Sequence, residues 1–256
     1  VSAGDPYATW VEQWLQARPE MRLVELYCRP ARTPRARALG VLEYLLREAA
    51  FGMREPAIAR SKLAWWVDEL VACSRGAARH PVARELAAQV DAPAVGALAR
   101  AASALVDACG AESTADVESL VARYAAAATG FATAHEADAG AGSALAACWL
   151  IDELREFRRF AEPAHARIPL ALIARHRITR EALAGEEDAR AVARVRAELA
   201  AALVPMLAAP AGAGAVLAAR LASARTWAGQ LARARDAAVP AAPRLRLVYA
   251  LWRARC

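Results

Sequence analysis

Apolar residues recur every three to four positions along almost the whole chain, the spacing of helices that bury one face. Trp10, Val11 and Trp14 mark a first amphipathic helix. An arginine-rich loop follows, with Arg29, Arg32, Arg35 and Arg37 around Pro30 and Pro34. A helix over 36–51 puts Leu39, Leu42, Leu46 and Ala50 on one face. Pro56 opens the next helix, because a missing N–H costs nothing in the first turn. That helix runs through Leu63, Trp66 and Leu70 to Cys73, and Gly76 ends it. His80-Pro81 starts another in HPVARELAAQV. Further helices are predicted over 94–109, 115–129, 131–139 and 143–161, with a break at Pro163 and Pro169. Thr179 is placed to cap a short helix in RITREALAGEE. Helices over 188–207 and 212–237 follow, and Pro240 and Pro243 precede a last one carrying Leu247, Leu251 and Trp252.

Runs that alternate apolar and polar residues, the mark of half-buried strands, are nearly absent. More than a quarter of the chain is alanine, and its only lysine is Lys62, every other basic residue being arginine. Alanine and arginine favour helices, and alanine is poor in strands. The expectation is an all-α fold in a single domain over residues 1–256, with no linker and no repeat of fixed period. Barrels, sandwiches and Rossmann folds are excluded.

Charge narrows the partners. The net charge of +6 favours anionic partners, but 27 acidic residues are interspersed and no basic run is interleaved with aromatics. No nucleic-acid partner is expected. The five cysteines, Cys28, Cys73, Cys109, Cys148 and Cys256, are far apart and form no metal-binding spacing. They read as small buried side chains in a reducing compartment. The first residues do not form a signal peptide, so a cytoplasmic location is expected. The uncharged stretch from Leu199 to Ala219 contains Pro205, Pro210, Gly212 and Gly214, and reads as a turn between two helices rather than a membrane span. At most a peripheral membrane contact is expected.

Two segments carry a resemblance. EPAIARSKLAWWVDELVACSRGAARHPVARELA, residues 55–87, and LIDELREFRRFAEPAHARIPLALIARHRITREAL, residues 150–183, resemble two motif regions of the squalene/phytoene synthase family in order and spacing. The resemblance implies an isoprenoid-synthase fold, a bundle of long helices around a deep central cavity. It also implies head-to-head joining of prenyl diphosphates, with two aspartate-rich helices holding Mg²⁺. Hard cations held by carboxylates would neutralise the leaving diphosphate, and apolar walls would keep water from the carbocation.

The aspartate-rich motifs are altered. The first would lie in GVLEYLLREAA, which offers Glu43 and Glu48, five apart, with Arg47 at the i+4 place. Glu43 and Arg47 there read as a surface ion pair. The second places Asp152, Glu156 and Phe160 at the acidic positions, so an aromatic ring stands for the last carboxylate. Asp152 and Glu156 at i and i+4 would share one helix face. They read first as partners of Arg155 and Arg159 on an ordinary helix face, and second as a pair that could hold one ion. Glu69 reads as a salt-bridge partner and His80 as a helix-entry residue. The adjacent Trp65 and Trp66 are expected to pack, one toward the cavity and one toward a neighbouring helix.

Three functions follow. A catalytically degenerate relative would bind an isoprenoid or other lipid, or a protein partner, and would need no cofactor. A helical assembly factor or scaffold would share only the architecture. A working prenyl transferase would hold Mg²⁺ through Asp152, Glu156 and Glu43 and contact the prenyl diphosphate with Arg155 and Arg167.

Overall fold

The structure is a computed structural model that describes residues 5–138, 140–185, 188–234 and 244–254. Of these, 79% are helical, and no strand occurs among them. The helices are α1 (Pro6–Ala17), α2 (Glu20–Tyr27), α3 (Pro34–Gly52), α4 (Pro56–Ser74), α5 (Pro81–Gln89), α6 (Ala92–Ala108) and α7 (Val117–Ala134). Then come α8 (Ala141–Leu154), α9 (Phe157–Phe160), α10 (Leu170–His176), α11 (Arg180–Gly185), α12 (Ala189–Leu203), α13 (Gly214–Leu231) and α14 (Arg244–Ala254).

Local chemistry sets the boundaries. Asp5, Thr33, Asp91, Asp116 and Asp188 each accept a first-turn backbone N–H through the side chain. Pro6, Pro34, Pro56 and Pro81 occupy first helical positions. His80 caps α5 by accepting from Val82 N–H at 3.2 Å, as its place before Pro81 predicts. At the end of α4, Gly76 has φ of +72°. Its N–H reaches Cys73 O, and Ala77 N–H reaches Ala72 O, the paired bonds of a left-handed helix stop.

Two helix predictions change. Gly130 does not break the chain, and the helices expected over 115–129 and 131–139 are one, α7. The glycine is there for packing: a Cβ would stand 2.6 Å from Ala97 O and 2.8 Å from the Ala101 Cβ on α6. Gly142 plays the same part between α8 and α7, where a Cβ would overlap Thr129 Oγ1 at 2.0 Å. The helix expected over 143–161 stops at Leu154, and Glu156 leaves helical geometry at φ −110°, ψ 60° before α9 begins.

Helices α4, α6, α7 and α8 pack in succession, each along the next, while α3 lies against α1, α4 and α5 and α13 against α8, α12 and α14. One apolar core runs from Trp14 and Leu15 of α1 to Leu247 of α14. Leu63 and Trp66 are buried in it. Trp65 remains 48% exposed, with its ring 5.1 Å from that of Trp66, and neither ring lines the cleft described below. The stretch from Leu199 to Ala219 holds the end of α12, a turn with a 3-10 segment at Val204–Leu207 and Gly212 at φ +78°, and the start of α13. Among the described residues no helix is long and apolar enough to cross a membrane. Cys28, Cys73, Cys109 and Cys148 are buried free thiols, as expected. Cys256, Pro240, Pro243 and the end of the helix predicted over 212–237 lie outside the described residues.

Candidate functional site

Helices α3, α8 and α13 meet the α1–α2 junction around a cleft of about 630 Å³, counting the space open at its mouth. Trp14, Met21, Ala31, Ala36 and Val216 give it an apolar side. Arg18, Glu43, Arg47, His135, Asp152 and Arg220 give it a charged one.

The charged side is a lattice of guanidinium and carboxylate groups. Glu43, in the middle of α3, accepts the indole N–H of Trp149 at 2.7 Å. Arg220 of α13 grips both Glu43 oxygens, with Nη1 2.6 Å from Oε2 and Nη2 on Oε1. Arg47, one turn along α3, donates to Asp152 at 2.9 Å and to Glu153 at 2.6 Å, and also accompanies Glu43 at 3.6 Å. Glu153 takes two more guanidinium contacts, from Arg18 at 2.7 Å and Arg159 at 2.6 Å. Glu43, Arg47 and Glu153 are all buried.

Charges taken out of water survive only when paired and hydrogen-bonded, and these are. Burial pushes the Glu43 carboxyl up, but Arg220 and Arg47 outweigh it and hold the group below the usual carboxylate range. Burial likewise pushes Glu153 up, and Arg47, Arg18 and Arg159 bring it down to about 2. Burial acts to lower Arg47 and Arg220, yet their carboxylate partners raise both above the ordinary value. Burial first, then Arg220, lowers His135 to about 4, so the ring is neutral near pH 7, and its Nε2 makes no hydrogen bond. Burial and the nearby Asp152 push the Cys148 thiol up to about 12, which leaves it a poor nucleophile.

The acids and arginines singled out in the sequence part company here. Glu43 and Asp152 come to the same cleft, but each faces a guanidinium. The Glu43–Arg47 pair forms, though it is buried rather than on the surface. Glu156 does not join them. The helix ends two residues before it, so the i,i+4 relation to Asp152 is lost, and its largely exposed carboxylate pairs with Arg159 at 3.4 Å. Arg155 turns to Glu20 at 2.7 Å and lies 4.3 Å over the Trp227 ring, outside the cleft wall. Arg167 is also outside it. Its buried guanidinium donates to the carbonyls of Ala50, Phe51 and Arg159, closing the C-terminal end of α3. Glu69 accepts the backbone N–H groups of Arg79 and His80, both at 2.6 Å, and so fixes the α4–α5 loop instead of forming a salt bridge. Phe160, expected at the third acidic position of the motif, is buried in the core.

The sequence reading missed Arg18, Glu153, Trp149 and Arg220 as members of this site. A signal existed for two of them. Glu153 adjoins Asp152 at the end of a helix that is otherwise apolar but for Ser143, and Arg220 interrupts an alanine- and leucine-rich run. Such lone charges need buried partners.

A magnesium cluster does not fit these side chains. Around the cleft Glu20, Glu43, Asp152 and Glu153 are each bound to at least one guanidinium, from Arg155, Arg220, Arg47, Arg18 and Arg159, leaving no surplus negative charge. No group of three His, Cys, Asp or Glu side chains among the described residues is placed to hold a metal ion.

No known protein family matches the chain by sequence, and no curated protein does either. Among solved structures, a dehydrosqualene synthase crystallised with a ligand superposes with a TM-score of 0.61. The match covers 98% of this chain and 98% of that one, at 12% identity. The chain shares its fold with a dehydrosqualene synthase. This is the all-α isoprenoid-synthase architecture that the Trp-doublet and HPVA segments imply. At 12% identity the likeness is one of fold, and the side chains in the cleft decide what chemistry it carries.

Proposed function

We propose that this protein is a catalytically degenerate relative of the squalene/phytoene synthases, which keeps the helical scaffold to bind an isoprenoid or other lipid chain, or a protein partner, without turning it over. The observation that supports this is the pairing of Glu43 with Arg220 and of Asp152 with Arg47 across α3, α8 and α13. Diphosphate departure places several negative charges on the leaving group, and carboxylate-held cations would have to balance them. Here the carboxylates are already neutralised by guanidinium groups held in the fold. A divalent cation at Glu43 or Asp152 would stand beside Arg47 and add a positive charge to a site in balance.

The apolar side of the cleft, with Trp14, Met21 and Val216, suits the end of a hydrocarbon chain. The test is incubation with farnesyl or geranylgeranyl diphosphate and Mg²⁺, followed by extraction of hydrocarbon product. No product above a no-enzyme blank is expected. Squalene- or phytoene-type product that disappears in Asp152→Ala would overturn the reading and establish a working prenyl transferase instead.

A further inference from the structure

We propose that the outer face of α14 docks on the surface of an anionic lipid bilayer. The helix has two unlike sides. Leu247 and Leu251 are buried, and Leu251 packs with Val24, Cys28, Ala31 and Ala219 from α2, the loop after it and α13. The opposite side presents Leu245, Tyr249 and Trp252, at 86%, 58% and 60% exposure. Their spacing of four and three residues puts them in one stripe, and the Tyr249 and Trp252 rings stack at 6.2 Å. Arg246 and Arg253, both exposed, are seven residues apart and line one edge of this stripe, and α14 carries no acidic residue. Next to it α2 exposes Leu26 and Tyr27, and Arg29 follows at its end.

This combination selects the occupant. Tyrosine and tryptophan seat an apolar ring and a polar edge at the boundary between headgroups and acyl chains. Arginines at the border of the apolar stripe reach back to lipid phosphates. A second copy of the chain is disfavoured by the same charges, since an antiparallel two-fold pairing through this stripe would set Arg246 of one copy beside Arg253 of the other, with no acid on the helix to meet them. With no spanning helix among the described residues, the contact is peripheral. The placement also has a consequence for the cleft. Helices α2 and α13, on which α14 rests, supply Met21, Val216 and Arg220 to the cleft wall, so docking would hold that wall next to the bilayer.

The test is co-sedimentation of the full chain with vesicles of phosphatidylcholine alone and with about one third phosphatidylserine, at low and at high salt. The anionic vesicles should retain the protein, the neutral ones should retain at least about tenfold less, and salt should weaken the difference. Two exposed double variants, Leu245→Glu with Trp252→Glu and Arg246→Glu with Arg253→Glu, should each lose about tenfold or more in binding while keeping the helical circular dichroism of the parent. Equal absence of binding to both vesicle types overturns the proposal, as does unchanged binding in the folded variants. A dimer that Leu245→Glu dissociates, with no vesicle binding, overturns it in favour of a second copy.

Discussion

The guanidinium of Arg220 holds both carboxylate oxygens of Glu43, although the two are 177 residues apart. The pair ties α13 to α3 in a site that excludes most water, where breaking an ion pair costs far more than it does on a surface. Arg220→Met should therefore lower unfolding stability by about 3–5 kcal/mol, because Glu43 is left buried with a diminished partner set. The double variant with Glu43→Gln should recover a good part of this loss. A urea double-mutant cycle measures the coupling, and purely additive effects would contradict the pairing.

Arg167 offers a different check. Its guanidinium satisfies carbonyls at the end of α3 and lies 4.8 Å over the Phe51 ring. Arg167→Met should cost on the order of 3 kcal/mol through buried carbonyls left unpaired, and it should leave ligand affinity at the cleft unchanged. Urea denaturation reads the first outcome and a lipid-binding titration the second. A loss of binding without a loss of stability would return Arg167 to the role of a ligand contact.

How far the sequence reached depends on the range of the interaction. Helix starts were legible because proline and capping side chains act within a few residues, as at Thr33 and His80. The Gly130 break failed because a glycine needed for close packing against Ala97 looks, in sequence alone, like one that ends a helix. The cleft was half legible. Glu43 and Asp152, singled out through the resemblance, do come to one cleft, but Arg220 is brought to them only by tertiary packing. Arg155 and Arg167, expected at a diphosphate, instead meet Glu20 and the carbonyls at the end of α3 for a related reason. A buried arginine that closes a helix end and one that grips a phosphate are the same letter, and only the neighbouring carbonyls of Ala50 and Phe51 tell them apart.

Acid should weaken the fold in two stages. All four histidines are held below their ordinary value with burial as the first cause, and His135 reaches about 4 from 6.5. Between those values the unfolded chain takes up protons that the folded chain refuses, so stability is full above pH 6.5 and declines toward pH 4. Glu153, depressed from 4.5 to about 2 by its three arginines against the opposing effect of burial, acts the same way lower down. Its contribution, on the order of 3 kcal/mol from the size of the shift, is complete above pH 4.5 and lost as pH falls through 2. Urea midpoints measured across pH should show both declines, and His135→Asn should reduce the first. A midpoint that rises on acidification would contradict the assignment of these charges.

Manganese resonance tests most directly whether the arginine-paired carboxylates have given up metal binding. Free Mn²⁺ gives a sharp electron paramagnetic resonance signal that is lost on binding, and this ion fits the same oxygen ligands as Mg²⁺. Titration into the full chain, with and without inorganic pyrophosphate, should leave the protein and the protein-free samples indistinguishable, because Glu43 and Asp152 are held by Arg220 and Arg47. Stoichiometric loss of the free signal in the presence of the protein, restored by Asp152→Asn, would contradict the account and show that the cleft still assembles a metal site.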